Sequence, residues 1–197
     1  EADNFGSLIR PELSDVTEVR KLIDGKDISG NLFLRDVHER VQAVLRMADY
    51  LAPKYHVVVA NPPYMGAGGM NNRLKAWAAG QYPKSKYDLY SMLLERSMTL
   101  GAPRSYAAMV TMQGWMFLTS FGDIRREILQ YHRIANFIQI GYNSFPELNS
   151  KVALASAFVL QLGSRGGVGA FINLNDAPQS ADKELVFFDR VSANKIS

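Results

Sequence analysis

Hydrophobic positions change period twice in the first third of the chain. Over residues 1–31, Phe5, Leu8, Ile9, Val19, Leu22 and Ile23 are interrupted by glycine, proline and acidic residues, which predicts an irregular or briefly helical lead-in. From Leu32 to Leu51 the apolar residues Leu34, Val37, Val41, Val44, Leu45, Ala48 and Leu51 recur every three or four positions. That spacing predicts an amphipathic helix ending near Pro53. His56-Val57-Val58-Val59-Ala60 then forms an unbroken β-branched run, as expected of a strand buried on both faces in a parallel sheet.

The alternation continues downstream. A short helix is expected from Asn72 to Ala79, and a longer one from Tyr87 to Thr99, with Leu89, Tyr90, Leu93, Leu94 and Met98 inward. Gly101-Ala102-Pro103 breaks it before a strand over Tyr106–Thr111, a helix over Asp123–Leu129 and a strand over Ile134–Ile140. Val152–Leu162 reads as a long strand, and the glycines around Arg165 as a turn that returns Ala170–Leu174 antiparallel to it. Leu185–Phe188 reads as a final strand or the start of a connection. The fold class is therefore α/β, with a mainly parallel sheet and an antiparallel C-terminal hairpin. Residues 1–31 are expected as an irregular or helical lead-in, 32–175 as the catalytic-pocket half of a domain, and 176–197 as final strand or connection to a downstream domain.

Composition narrows the chemistry. A chain of 197 residues can bury roughly 70% of its unfolded surface. With no cysteine, it has neither disulfides nor thiolate chemistry. Lys and Arg at 22 against Asp and Glu at 19 leave a charge of +3, which permits a nucleic-acid partner without demanding one. His38, His56 and His132 are far apart in sequence, so no metal site is expected. No apolar stretch approaches the roughly 20 residues of a membrane span and no export segment opens the chain, so a cytoplasmic location without membrane is expected. Residue 1 is Glu within a polar segment, so a piece of a longer polypeptide is expected.

The strongest chemical signal is Asn61-Pro62-Pro63-Tyr64, delivered at the carboxyl edge of the sheet, where ligands of such folds bind. Two prolines remove two backbone donors and stiffen the segment while leaving their carbonyls free to accept. The Asn61 and Pro62 carbonyls can receive both N–H bonds of a planar amino group while Tyr64 stacks on the ring that carries it. These acceptors also stabilise positive charge as the nitrogen attacks an electrophilic methyl group.

Val57 to Tyr64 resembles the catalytic motif of amino-group methyltransferases that use S-adenosyl-L-methionine to modify N6 of adenine in DNA. More of the chain is similar to the PglX methyltransferases of bacterial BREX phage-defence systems. Ala2-Asp3-Asn4-Phe5-Gly6-Ser7-Leu8-Ile9, Met65-Gly66, Tyr87-Asp88-Leu89-Tyr90 and Met112-Gln113-Gly114-Trp115-Met116-Phe117 carry that likeness. The resemblance implies part of a Rossmann-like methyltransferase fold acting on double-stranded DNA with a flipped adenine, alongside other phage-defence proteins. The short motif is shared with enzymes that methylate protein glutamine or RNA guanine, and a noncatalytic assembly module stays open as an alternative.

By position, Phe145 resembles the Phe that closes the adenine pocket, or it is a loop anchor. Asp88 shapes the pocket floor or starts a helix. Arg73, Lys75, Lys84, Lys86 and Lys151 are candidates for DNA phosphate, or belong to a solvated face. The glycine-rich cofactor loop and the acidic residue for the cofactor ribose are not found in the chain; they are expected upstream, with a target-reading domain downstream, and the isolated segment is expected to be inactive.

Overall fold

A computed structural model describes residues 2–12, 15–26, 32–142, 154–178, 180–193 and 196. The chain divides into two compact units, Glu1–Lys54 and Tyr55–Ser197. In the first, α1 (Ala2–Phe5) runs into a 3-10 turn, followed by α2 (Thr17–Asp24) and α3 (Leu32–Leu51). Arg20 pairs with Asp49 and Gln42 donates to Asp24, tying α2 to α3. Leu45 is buried, but Leu34, Val37 and Val44 on the expected apolar stripe of α3 are exposed.

The second unit contains β1 (Tyr55–Ala60), α4 (Asn72–Gln81), α5 (Leu89–Leu100), β2 (Gly101–Met112), α6 (Gly114–Phe117), α7 (Gly122–Tyr131), β3 (Arg133–Gly141), β4 (Ala155–Gln161), β5 (Ala170–Asn173) and α8 (Lys183–Ser192). The strands form one mixed sheet in the order β1-β2-β4-β3-β5. β1 is parallel to β2 and β5 to β3, while β4 runs antiparallel to both of its neighbours. Tyr90, Leu94 and Met98 of α5 and Ile124 and Ile128 of α7 pack with Met109, Phe137, Phe158 and Leu160 of the strands to form the core on one face. A register shift between Ile134 and Asn136 resets the alternation of β3, so that both Ile134 and Phe137 join that core.

Four expectations need correction. The sheet is not mainly parallel, because β4 pairs antiparallel with both β2 and β3 and only β1–β2 and β3–β5 are parallel. β1 is not buried on both faces: Val57 and Val59 are 58% and 74% exposed. It lies at the sheet edge, bonded to β2 alone among the described strands.

The C-terminal hairpin does not form. β4 already has both edges bonded, to β2 and to β3, so it cannot accept β5, which crosses to the far edge of β3. Glycines make that crossing close: a Cβ on Gly169 would lie 2.2 Å from the Ile134 carbonyl oxygen, and Gly166 and Gly167 take φ of 73° and 95°. Because the obstacle at Gly169 is backbone, Gly169→Ala is expected to destabilise the chain by about 1–3 kcal/mol. Urea midpoints beside Gly80→Ala, which meets nothing within 4 Å on α4, test this.

Residues 183–192 are helix, not strand. Asp182 accepts from the backbone N–H groups of Glu184 and Leu185 and so caps α8.

The β4–β5 connection also carries a titratable contact. Gly163 donates its N–H to His132 Nδ1 at 3.0 Å, which requires that nitrogen to be unprotonated. Burial lowers the His132 pKa, against an opposing pull from Glu127. The folded chain therefore binds fewer protons than the unfolded one between the lowered value and the usual 6.5. Stability is fully present above that window and falls as pH drops through it. Urea midpoints at pH 8 and pH 5 should differ more for the native chain than for His132→Gln.

Candidate functional site

The parallel pairing Val59↔Ala108 and Ala60↔Met109 brings β1 to its carboxyl end beside β2, which runs on to Met112, and Asn61 is the first residue past β1. Asn61 and Pro63 are exposed, Pro62 is buried, and Tyr64 is half-buried against the core. The segment therefore presents an amide and a stiff backbone outward on a ring fixed from behind. Tyr90 meets Tyr64 edge-on at 6.1 Å between centroids and lies 5.8 Å from Phe121, which in turn contacts Tyr87 at 6.1 Å. Burial raises the Tyr64 phenol pKa. Burial, reinforced by the charge of Asp88, raises that of Tyr90 far above the ordinary range, although the Trp115 backbone N–H donates to its oxygen. Both rings stay neutral at physiological pH.

Past Tyr64 the chain is fastened to the start of α5. Met65 and Tyr90 both donate backbone N–H to Asp88 Oδ1, at 3.0 and 3.2 Å. Leu89 N–H donates to the Met65 carbonyl at 3.0 Å and Ala67 N–H to the Tyr87 carbonyl at 2.9 Å. Desolvation raises the Asp88 pKa, opposed by the N–H donors of Tyr90, Met65 and Leu89. The residues preceding Asp88 are held as firmly: Ser85 Oγ donates to Glu95 at 2.6 Å and Ser91 Oγ donates to the Ser85 carbonyl at 2.5 Å.

The basic candidates separate. Lys84 pairs with Glu127 at 2.5 Å, and that bond raises its pKa, so its ammonium joins the 82–88 segment to α7. Lys86 places its ammonium 5.7 Å from the ring centre of Tyr87. Arg73 and Lys75 are exposed on the first turn of α4, which Asn71 caps by accepting from Leu74 N–H. Phe145 and Lys151 lie outside the described residues.

The motif is legible in the sequence, and its aromatic support is not. Tyr87 and Phe121 had no assigned role, and Tyr90 was expected only as part of a helix stripe. The one available signal was the Tyr87-Asp88-Leu89-Tyr90 segment, noted for resemblance rather than for contacts. Among the described residues, no three His, Asp or Glu side chains gather as a metal site, and no helix is long and apolar enough to cross a membrane.

Past β1 the chain thus sets an exposed amide, two prolines and a half-buried aromatic ring in succession, with no strong base among the motif residues. Residues 12–145 match the family described as Eco57I restriction-modification methylase. The chain is 30% identical over 168 residues to the adenine-specific methyltransferase BrxX of Escherichia coli O9:H4, covering 84% of this chain and 14% of that protein. It is 33% identical over 149 residues to the adenine-specific methyltransferase PglX of Lacticaseibacillus casei, covering 75% and 12%. Among solved structures, a type I restriction-modification assembly matches with TM-score 0.56 and 16% identity, over 71% of this chain and 29% of that one. A Listeria monocytogenes protein described as a candidate class I S-adenosylmethionine-dependent methyltransferase matches with TM-score 0.52 and 13% identity, over 72% and 43%. The sheet is thus that of a Rossmann-like class I methyltransferase fold, with mixed strand directions.

Proposed function

The chain belongs to the Eco57I restriction-modification methylase family, and from that premise we propose that its Asn61–Tyr64 site methylates N6 of an adenine flipped out of duplex DNA. The observation that carries this reading is the exposed Asn61 past the end of β1, followed by a buried Pro62 and a Tyr64 ring held edge-on by Tyr90. Its similarity to adenine-specific methyltransferases favours adenine over other amino groups. Flipping follows from the chemistry, because N6 is out of reach inside a stacked duplex.

In this reading the Asn61 side-chain carbonyl and the Pro62 backbone carbonyl accept the two N6–H bonds. That aligns the nitrogen lone pair and draws the developing positive charge toward the acceptors. Tyr64 stacks on the base, and its neutral phenol adds no competing charge. Phe145 covers the opposite face of the base; Arg73, Lys75, Lys86 and Lys151 meet phosphates, with Lys84 contributing through the fold instead. Once N6 carries the methyl group, its extra proton would pass to water, so no general base is assigned.

The methyl donor of this reading is S-adenosyl-L-methionine, and the described residues do not build its site. The depression beside Asn61, about 430 Å³, is lined chiefly by Val59, Ala60, Ala108, Val110, Ala157 and Val159, with no carboxylate to hold ribose hydroxyls. No step is therefore assigned to residues that bind the donor. Methyl transfer is expected of the intact gene product, with the 197-residue segment inactive alone; the segment spans 14% and 12% of its two relatives.

Sequencing genomic DNA for N6-methyladenine in cells carrying the intact gene tests the reading. A motif-specific signal that disappears with Asn61→Ala is expected. No signal with verified expression, together with methylation of RNA or of a protein glutamine in a direct comparison, would overturn it.

A further inference from the structure

From the contacts between residues 64–67 and residues 87–90 we infer that Tyr87-Asp88-Leu89-Tyr90 is a splint that sets the position of the catalytic motif, with Asp88 as its positioning residue. The inference rests on the reading above for its chemistry, but its geometry stands separately.

Four contacts join the two segments. The Asp88 carboxylate accepts from Met65 N–H at 3.0 Å, Leu89 N–H donates to the Met65 carbonyl at 3.0 Å, Ala67 N–H donates to the Tyr87 carbonyl at 2.9 Å, and the Tyr90 ring meets Tyr64 at 6.1 Å. Gly66 and Asp88 also form an antiparallel bridge. These contacts act on residues 64–67, immediately after the Asn61 and Pro62 acceptors. Pro62, itself an acceptor, and Pro63 after it stiffen the chain, so an error at Met65 is carried back to the acceptors rather than absorbed.

Asp88 serves two segments with one oxygen. Oδ1 caps α5 by accepting from Tyr90 N–H at 3.2 Å and fixes the motif by accepting from Met65 N–H. Two backbone donors thereby converge on Oδ1, which suits an orienting group. The splint is itself anchored by the Ser91–Ser85 and Ser85–Glu95 bonds, so it forms a rigid counterpart to the loop.

Replacement by Asn, Ser or Ala separates the roles. Asn keeps an oxygen at the same reach; Ser can still cap α5 but is one atom too short to reach Met65 as well; Ala does neither. In the intact gene product, Asp88→Asn is expected to retain kcat for adenine methylation within about threefold and an unchanged pH profile. Asp88→Ser should lower kcat by about tenfold or more, with DNA KM and methyl-donor binding little changed.

Amide hydrogen exchange gives a second readout independent of chemistry. Protection at Met65 should fall about tenfold in Asp88→Ser and persist in Asp88→Asn, with exchange in α5 beyond its first turn unaltered in both. Asp88→Asn as inactive as Asp88→Ala while still folded would overturn the inference, because the charge itself would then be needed. Unchanged Met65 protection in Asp88→Ser would also overturn it. If the native protein does not methylate adenine in DNA, the proposed function fails, and the exchange experiment still decides whether the splint exists.

Discussion

Asn61→Ala in the intact gene product is expected to lower methyl transfer to adenine by about 10²–10³-fold, the usual effect of deleting one preorganised polar group that acts on developing charge. The side chain is exposed at the sheet edge, so its removal leaves the core untouched. The effect should therefore appear in kcat, with little change in thermal stability. Asn61→Asp retains an acceptor oxygen and should lose less than Asn61→Ala. Single-turnover transfer to a defined duplex provides the check. An Asn61→Ala enzyme within about threefold of native would remove the amide from the chemistry altogether.

The largest expected effect on stability belongs to Trp115→Ala. Trp115 is fully buried, 4.8 Å from Phe158 and 6.1 Å from Phe137 between ring centroids. Removing it should cost about 3–5 kcal/mol through lost burial and the cavity left behind. The corner it anchors is also held by Arg125, which donates to the Trp115 carbonyl at 2.7 Å and to the Leu118 carbonyl at 3.1 Å. Its indole N–H has no acceptor among the described residues. Trp115→Phe removes that buried donor along with some volume, so it should cost clearly less than the alanine variant. Urea unfolding of the 197-residue chain followed by far-UV circular dichroism distinguishes the two. Equal small losses would mean that the ring contributes little to the core.

Asn61 and Trp115 differ in how much of their role the sequence carries. Asn61 was legible because its neighbours are unusual: a β-branched strand, then Asn, two prolines and Tyr form a pattern with a local chemical meaning. Trp115 stood in a segment noted only for likeness, since nothing local says which side of a short helix meets Phe137 and Phe158. Those partners come from β3 and β4, more than 20 residues away in sequence.

The sequence by itself determined the main helices and strands of the described residues between 32 and 162 nearly in place, because hydrophobic period and Gly-Pro breaks act over a few residues. It also determined the motif and the edge of the sheet at which it stands. Only the tertiary structure decided that β4 inserts between β2 and β3, since strand pairing depends on which edges are open and periodicity carries no record of that. The same limit applies to the site. Asp88 and Met65 are 23 positions apart, and Lys84 and Glu127 are 43 apart. A carboxylate's partner is set by where two loops come to rest, so Asp88 as the fastener of the motif, and Lys84 as a tie to α7, emerged only from the folded chain.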